Sequence, residues 1–348
     1  MHLYTEDVKE SQVYKEQYLS GLEGLLERRR RDLDRQRTIH MSPEALANDP
    51  ERYRRAFVSM LGWPLTEYRW DPQLPVRQTF VGEDEEKRIY RLQLEVLEGL
   101  WFYGLFLLPK GLSGSKPLVI SQHGGLGTPE LCANFYGDSA NYNDMTRRVL
   151  RRGAAVFSPQ MLLWNKETFG VDYDRQQLDA AFKQVGGSIT AVEVLAIRRS
   201  LDWLLEQEFE DFRADPQRVG MIGLSYGGFY TLFTAAAEPR IASAYASGFF
   251  NNRYRPRNSS DWIWQDAASC FFDAEVAALI APRPLYLEVG DRDELFNYRD
   301  SQPEFARLLP YYQAQNAQDQ VRLSIFHGIH ELDKADDGID FLFAGLKG

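Results

Sequence analysis

The sequence predicts an α/β protein: a mostly parallel central sheet with helices on both faces, preceded by an N-terminal helical arm. Three observations carry this. Beyond Pro117, short branched and aromatic runs alternate with helix-compatible stretches, the pattern of parallel strands joined by crossover helices. Between Trp70 and Pro117, three apolar runs separated by charged or glycine turns read as consecutive strands. Before Trp70 the apolar period is helical.

Taken in order, Glu10 to about Leu61 is rich in helix formers, with Leu19, Leu22, Leu25, Leu26 and Leu33 at three- and four-residue steps. Ser42, Pro43 and Glu44 supply a cap, a first-turn proline and a first-turn acid for a second helix. Val76 to Val81, Ile89 to Val96 and Trp101 to Leu108 are the three early strands. The alternating part contributes strands at Leu118 to Ser121, Ala154 to Phe157, Val219 to Gly223, Ile241 to Ala246, Pro284 to Val289 and Val321 to Phe326. Ala191 to Leu205 and Pro303 to Tyr312 are the clearest helices between them. The chain therefore divides near Trp70 into an arm, 1–70, and an α/β domain, 71–348, with possible lid segments at 160–187 and 249–272. An amphipathic arm with a leucine stripe is expected to pack over the domain or against another subunit, giving a possible homo-oligomer.

Composition excludes several functions. At 348 residues and 44% hydrophobic the chain can bury a large core without disulfides or metals. Residues 1–70 hold twelve acids and twelve bases, so the remainder carries the whole net charge of −10, the wrong sign for a nucleic-acid surface. Arg28 to Arg31 runs into Asp32, Asp34, Arg35 and Arg37, which reads as a mixed, solvated helix face. Val219 to Ala237 lacks any charge, but Gly220, Gly223, Gly227 and Gly228 interrupt it, so a buried strand turning into a buried helix is expected and no membrane span. Met1 to Glu10 has no apolar core for a secretory signal, and two cysteines fit a reducing compartment. The expectation is a cytoplasmic protein with no membrane or nucleic-acid partner.

The chemistry centres on Gly223-Leu224-Ser225-Tyr226-Gly227, a Gly-X-Ser-X-Gly turn between a strand-like and a helix-like run. Such a turn strains the serine backbone, and its glycines leave room for neighbouring main chain. A serine hydroxyl needs an adjacent base. Of five histidines, only His327 and His330 follow Ser225, as the chain order serine, acid, histidine requires in this setting. His330, beyond Gly328 in a loop, can swing over the sheet edge; His327 abuts the strand and is expected to be a packed, hydrogen-bonded residue. His327 and His330 could also pair on a metal, but no further Cys or His supports a site, and neither metal nor cofactor is expected. The acid that holds the imidazole should follow the strand Leu285 to Val289; Asp293 is preferred and Asp291 is the reserve. Oxyanion donors are the backbone N–H of Tyr226 and, from the loop Ser121 to Gly127, that of Gly125. His123 is expected to brace that loop without titrating.

These pieces resemble the α/β-hydrolase superfamily, in particular its dienelactone-hydrolase-like and acetyl xylan esterase-like branch. The resemblance rests on His123-Gly124-Gly125, on Asp215-Pro216-Gln217-Arg218-Val219 leading into Gly223 to Gly228, on Leu279 to Pro284 before Gly290 and Asp293, and on Gly328-Ile329-His330. It covers the chain from about Arg77 onward. It implies a triad of Ser225, Asp293 and His330 and an ester as substrate; a small-molecule ester of a small or short-chain acyl group is expected. Dienelactone hydrolases proper carry a cysteine where Ser225 stands. The Ser-Tyr-Gly-Gly version also resembles prolyl oligopeptidases, which keeps a peptidase or amide hydrolase as the alternative; a silent hydrolase fold serving as a binding module is the non-enzymatic one.

Overall fold

The computed structural model describes residues 1–163, 173–254 and 260–347. Three helices open the chain: α1 (Val8–His40), α2 (Pro43–Asn48) and α3 (Pro50–Leu61). Each starts where a side chain satisfies a first-turn N–H: Asp7 accepts from Lys9, Ser42 from Ala45 and Asp49 from Arg52. Pro43 and Pro50 occupy first helical positions, where a missing N–H costs nothing. Leu46, Tyr53, Phe57 and Leu61 are buried in the same core as one face of the sheet, and Phe57 meets Phe233 at 5.4 Å between ring centroids. The leucine stripe of α1 behaves differently. Leu33 is buried, whereas Leu19, Leu22, Leu25 and Leu26 are 44 to 57% exposed.

Among the described residues ten strands form one sheet: β1 (Val76–Glu83), β2 (Lys87–Leu97), β3 (Leu100–Pro109), β4 (Gly114–Gln122), β5 (Ala155–Pro159), β6 (Glu208–Phe209), β7 (Phe212–Leu224), β8 (Ile241–Ser247), β9 (Leu285–Gly290) and β10 (Val321–Phe326). Their order is β1-β2-β3-β5-β4-β7-β8-β9-β10, with β6 paired to β7. The first three strands are an antiparallel meander joined antiparallel to β5; from β5 through β4, β7, β8, β9 and β10 every pairing is parallel. Those six parallel strands are the six runs that the alternating pattern predicts.

The connecting helices are α4 (Pro129–Cys132), α5 (Met145–Arg151), α6 (Arg175–Gln184), α7 (Ile189–Leu204), α8 (Tyr226–Ala237), α9 (Ala267–Cys270), α10 (Asp273–Ala278), α11 (Tyr298–Gln313) and α12 (Asp337–Ala344). Strand alternation sorts them into two layers. Phe106 and Leu108 of β3 point into the core that holds α7 and α8, while Leu105 and Leu107 point into the core that holds α5 and α12. The charge-free stretch is accounted for by β7 running into α8, all of whose residues are buried. Phe229 and Phe233 are at most 1% exposed, each worth roughly 1.5–3 kcal/mol of burial. Among the described residues no helix is long and apolar enough to cross a membrane.

This topology also locates a crevice. The chain leaves β4 toward β5 on one side, and leaves β7 toward β8, β9 and β10 on the other. The carboxyl ends of β4 and β7 therefore flank the point where strand order reverses, the place where open α/β sheets bind ligands.

Candidate active site

Ser225 is the single residue between β7 and α8, and it adopts φ 61° and ψ −120°. For a residue with a side chain this conformation stores about 1–3 kcal/mol, held here because both flanking elements are buried. Its N–H donates to Ser247 O at 2.9 Å, tying the turn to the end of β8. The glycines have the steric role expected of them. A Cβ on Gly223 would strike Gly227 O, one on Gly227 would strike Gln122 O, and one on Gly228 would strike Ser247 O. Gly124 is equally constrained, since a Cβ there would stand 2.8 Å from Leu224 O.

His330 and Asp293 meet because β9 and β10 are parallel and in register up to Gly290 opposite Phe326. The loops that follow run side by side, with Asp291 N donating to Phe326 O and Arg292 N to Gly328 O. His330 Nδ1 lies 2.8 Å from Asp293 Oδ2. Asp293 Oδ1 accepts from Leu295 N and Phe296 N, so both carboxylate oxygens are engaged, and its side chain is 1% exposed. With Nδ1–H turned toward Asp293, the neutral imidazole leaves Nε2 as an acceptor. The ring stacks on Phe296 at 5.7 Å and lies close to Gly248. Among the described residues the Ser225 hydroxyl makes no hydrogen bond, so the serine and His330 are brought together as walls of one cavity and not by direct bonding.

That cavity, about 380 Å³, is lined by Gly125, Leu126, Leu131, Tyr142 and Leu295 around Ser225 and His330. Its floor is the loop after β4. Gly124 N–H donates to the Tyr142 hydroxyl at 2.7 Å, and Gly127 N–H donates to Gly124 O at 3.1 Å. The Gly125 N–H has no partner among the described residues. Tyr226 opens α8, so its N–H belongs to the first turn, ahead of the i−4 ladder. His123 braces this loop. Its Nε2 accepts Met161 N–H at 2.9 Å and its Nδ1 bonds Gly124 O at 2.9 Å, while burial pushes its pKa down to about 4 and keeps it neutral.

Two expectations need correction. His327 is hydrogen-bonded, Nδ1 to Asp291 Oδ2 at 2.9 Å, but it is not packed: its side chain is 77% exposed because β10 is the edge strand and the next residue points off it. The described part of the possible lid segment 249–272 does not line the cavity. Trp262 and Trp264 pack on α8, at 4.8 Å from Tyr226 and 5.4 Å from Phe233, where large rings bury more area than at a cavity mouth. Residues 164–172 of the other possible lid segment, 160–187, lie outside the described residues. Leu126 and Leu295, from loops, and Leu131, from α4, line the cavity instead.

Several positioning residues have no motif. Tyr142 is a lone tyrosine in a loop. Asn141 and Asn143 clamp the histidine loop, Asn141 Nδ2 donating to His330 O at 3.0 Å and Asn143 Nδ2 to Leu332 O at 2.6 Å. Glu288 left one trace, a carboxylate inside an otherwise apolar strand. It is buried, its Oε1 accepts from Ser247 Oγ at 2.7 Å and Asp333 N at 3.0 Å, and burial pushes its pKa up to about 7. Among the described residues no three His, Cys, Asp or Glu side chains converge as metal ligands.

The sheet order, the turn at Ser225 and the loops beyond β4, β9 and β10 define an α/β-hydrolase fold. Known structures agree. The chain superposes on the glucuronoyl esterase from Solibacter usitatus with a TM-score of 0.64 at 14% identity, over 87% of this chain and 93% of that one. A methylesterase matches at 0.65 and 19% identity over 87% of this chain, which spans 63% of the methylesterase's length. Acetyl xylan esterase 1 from Thermoanaerobacterium sp. JW/SL YS485 matches at 0.54 and 17% identity, over 86% and 94%. No protein-family model and no curated protein sequence matches.

Proposed function

We propose that this protein is a serine hydrolase of carboxylic esters, with Ser225 as nucleophile, His330 as general base and acid, and Asp293 as the carboxylate that orients the imidazole. The observation that carries the reading is the buried Asp293–His330 hydrogen bond beside a serine held at a strained turn in the same cavity. In this reading His330 Nε2 takes the Ser225 proton as the hydroxyl oxygen attacks the ester carbonyl. The oxyanion is met by the N–H groups of Tyr226 and Gly125, at the end of α8 whose dipole favours negative charge. The imidazolium then protonates the departing alkoxide, an acyl-enzyme remains on Ser225 Oγ, and water deprotonated by His330 releases the acid.

The cavity lining among the described residues holds no Asp, Glu, Lys or Arg, which suits a small neutral acyl group over an anionic one. The neighbours named as acetyl xylan, glucuronoyl and methyl esterases motivate the same class of bond. The free thiols of Cys132 and Cys270 fit a reducing compartment, and the cytoplasm is the proposed location. The test is turnover of p-nitrophenyl acetate, butyrate and octanoate beside acetylated xylo-oligosaccharides, methyl uronates and matching anilides. Short acyl esters should be cleaved with kcat/KM at least about a hundredfold above the anilides. Equal ester and anilide rates would transfer the assignment to amide hydrolysis, and no turnover of any ester would remove it.

A further inference from the structure

The first half of α1 stands away from the protein as a bare amphipathic helix. Its root is fixed: Arg37 is 1% exposed, donates to Ala268 O at 2.7 Å, pairs with Glu275 at 3.1 Å and covers the Phe272 ring. Toward the N-terminus from Leu33, Leu26, Leu25, Leu22, Leu19, Tyr18 and Tyr14 are all 44 to 71% exposed. An uncovered leucine seam this long is rare on a monomer.

Two observations identify what covers it. The first is charge. Residues 1–23 hold Glu6, Asp7, Glu10, Glu16 and Glu23 against Lys9 and Lys15, whereas residues 24–40 hold Arg28, Arg29, Arg30, Arg31, Arg35 and Arg37 against Glu27, Asp32 and Asp34. The arm is negative at its free end and positive at its root, so it complements a copy of itself only when the two run antiparallel. The second is a cavity of about 380 Å³ at that root, lined by Leu26, Leu33, Trp264 and Phe271 with Arg29 and Arg30 at its edge. In an antiparallel pair crossing near Leu22, position 18 of one helix faces position 26 of the other, and position 14 faces position 30. The rings of Tyr14 and Tyr18, 70% and 71% exposed, then meet the cavity. Aromatic anchors entering an apolar pocket are the usual centres of interface energy.

We propose that α1 is a dimerisation arm: two copies of this chain pair antiparallel through it, each setting Tyr14 and Tyr18 into the cavity at the base of the other copy's helix. The contact is isologous, so it closes at two subunits. Light scattering on the full chain between about 1 and 100 µM should give twice the 40.2 kDa chain mass. Leu22→Asp and the double variant Tyr14→Ala/Tyr18→Ala should give single-chain mass with an unchanged circular dichroism spectrum, since these side chains touch nothing in the monomer core. Orientation is read by oxidation in a Cys270→Ser background. Leu22→Cys should close to a disulfide-linked dimer, and Tyr14→Cys should close only when mixed with Arg30→Cys. A wild-type monomer at the highest concentration, a dimer that survives Leu22→Asp, or Tyr14→Cys closing on itself would each overturn the proposal.

Discussion

Two aspartate–histidine pairs hang from the same two strand ends, and their hydrogen bonds are almost equal, 2.9 Å for Asp291–His327 and 2.8 Å for Asp293–His330. Their surroundings are not. The His327 and Asp291 side chains are 77% and 37% exposed, so water competes for every lone pair and the pair is worth little. The His330 and Asp293 side chains are 11% and 1% exposed, Asp293 is held by two further N–H donors, and the free face of the imidazole borders the cavity of Ser225. The hydrogen bond to His327 holds the Asp291 carboxyl below its ordinary range, a direction that marks contact with a histidine and nothing about catalysis. Hydrogen-bond length therefore does not separate the two pairs; burial, orientation and what faces the second nitrogen do.

The comparison can be broken by substitution. His330→Ala should lower kcat by about a thousandfold or more, and His327→Ala by less than about twofold, measured on one short-chain ester. Equal losses would mean that the exposed pair also serves the reaction. Asp293→Asn should follow, at about a thousandfold, against a few-fold at most for Asp291→Asn; the opposite ranking would move the orienting carboxylate to Asp291. Tyr142→Phe removes the acceptor of the Gly124 N–H and should reduce kcat about tenfold with KM nearly unchanged, because the loop it holds carries Gly125, the proposed oxyanion donor. A proportional rise in KM would assign Tyr142 to ground-state binding.

The smallest effect sharpens the same contrast between buried and exposed carboxylates. Glu288 has its pKa raised from 4.5 to about 7 by burial, so the folded protein binds more protons than the unfolded chain between those values. Its contribution to stability is fully present below pH 4.5 and is lost as pH rises through 7. Glu288→Gln cannot ionise and keeps an oxygen for Ser247 and Asp333. Urea denaturation should therefore show the variant gaining on wild type, by up to about 3 kcal/mol, between pH 4.5 and 8. A difference independent of pH would remove the shift.

Legibility in the sequence followed the physics of each part. The parallel strands could be read because buried strands are continuous branched runs, and Ser225 because its turn forces glycine at 223 and 227. Asp293 and His330 could be read because chain order restricts the candidates to a few loop residues. The motif Leu279 to Pro284 has a structural explanation: Arg283 donates to Ala235 O and Ile241 O, both at 2.7 Å, tying α8 to β8. Tyr142, Asn141 and Asn143 escaped because they act through single side chains on loops, with no period or spacing to mark them. Exposure of His327 escaped because sheet order, which makes β10 an edge, is not encoded locally. The leucines of α1 left two partners open, the domain or another subunit, for the same reason, since an amphipathic face states that it needs covering and not by what.

The central claim is that the buried pair, and it alone, activates Ser225. A fluorophosphonate probe tests this directly, because its attachment requires the same activated hydroxyl and is independent of any choice of substrate. Peptide mass mapping of the wild-type and His327→Ala proteins should find the adduct on Ser225 at equal rates, with labelling at least about a hundredfold slower in His330→Ala and no adduct on that peptide in Ser225→Ala. Labelling of His330→Ala at the wild-type rate, or an adduct carried by a different residue, would contradict the account.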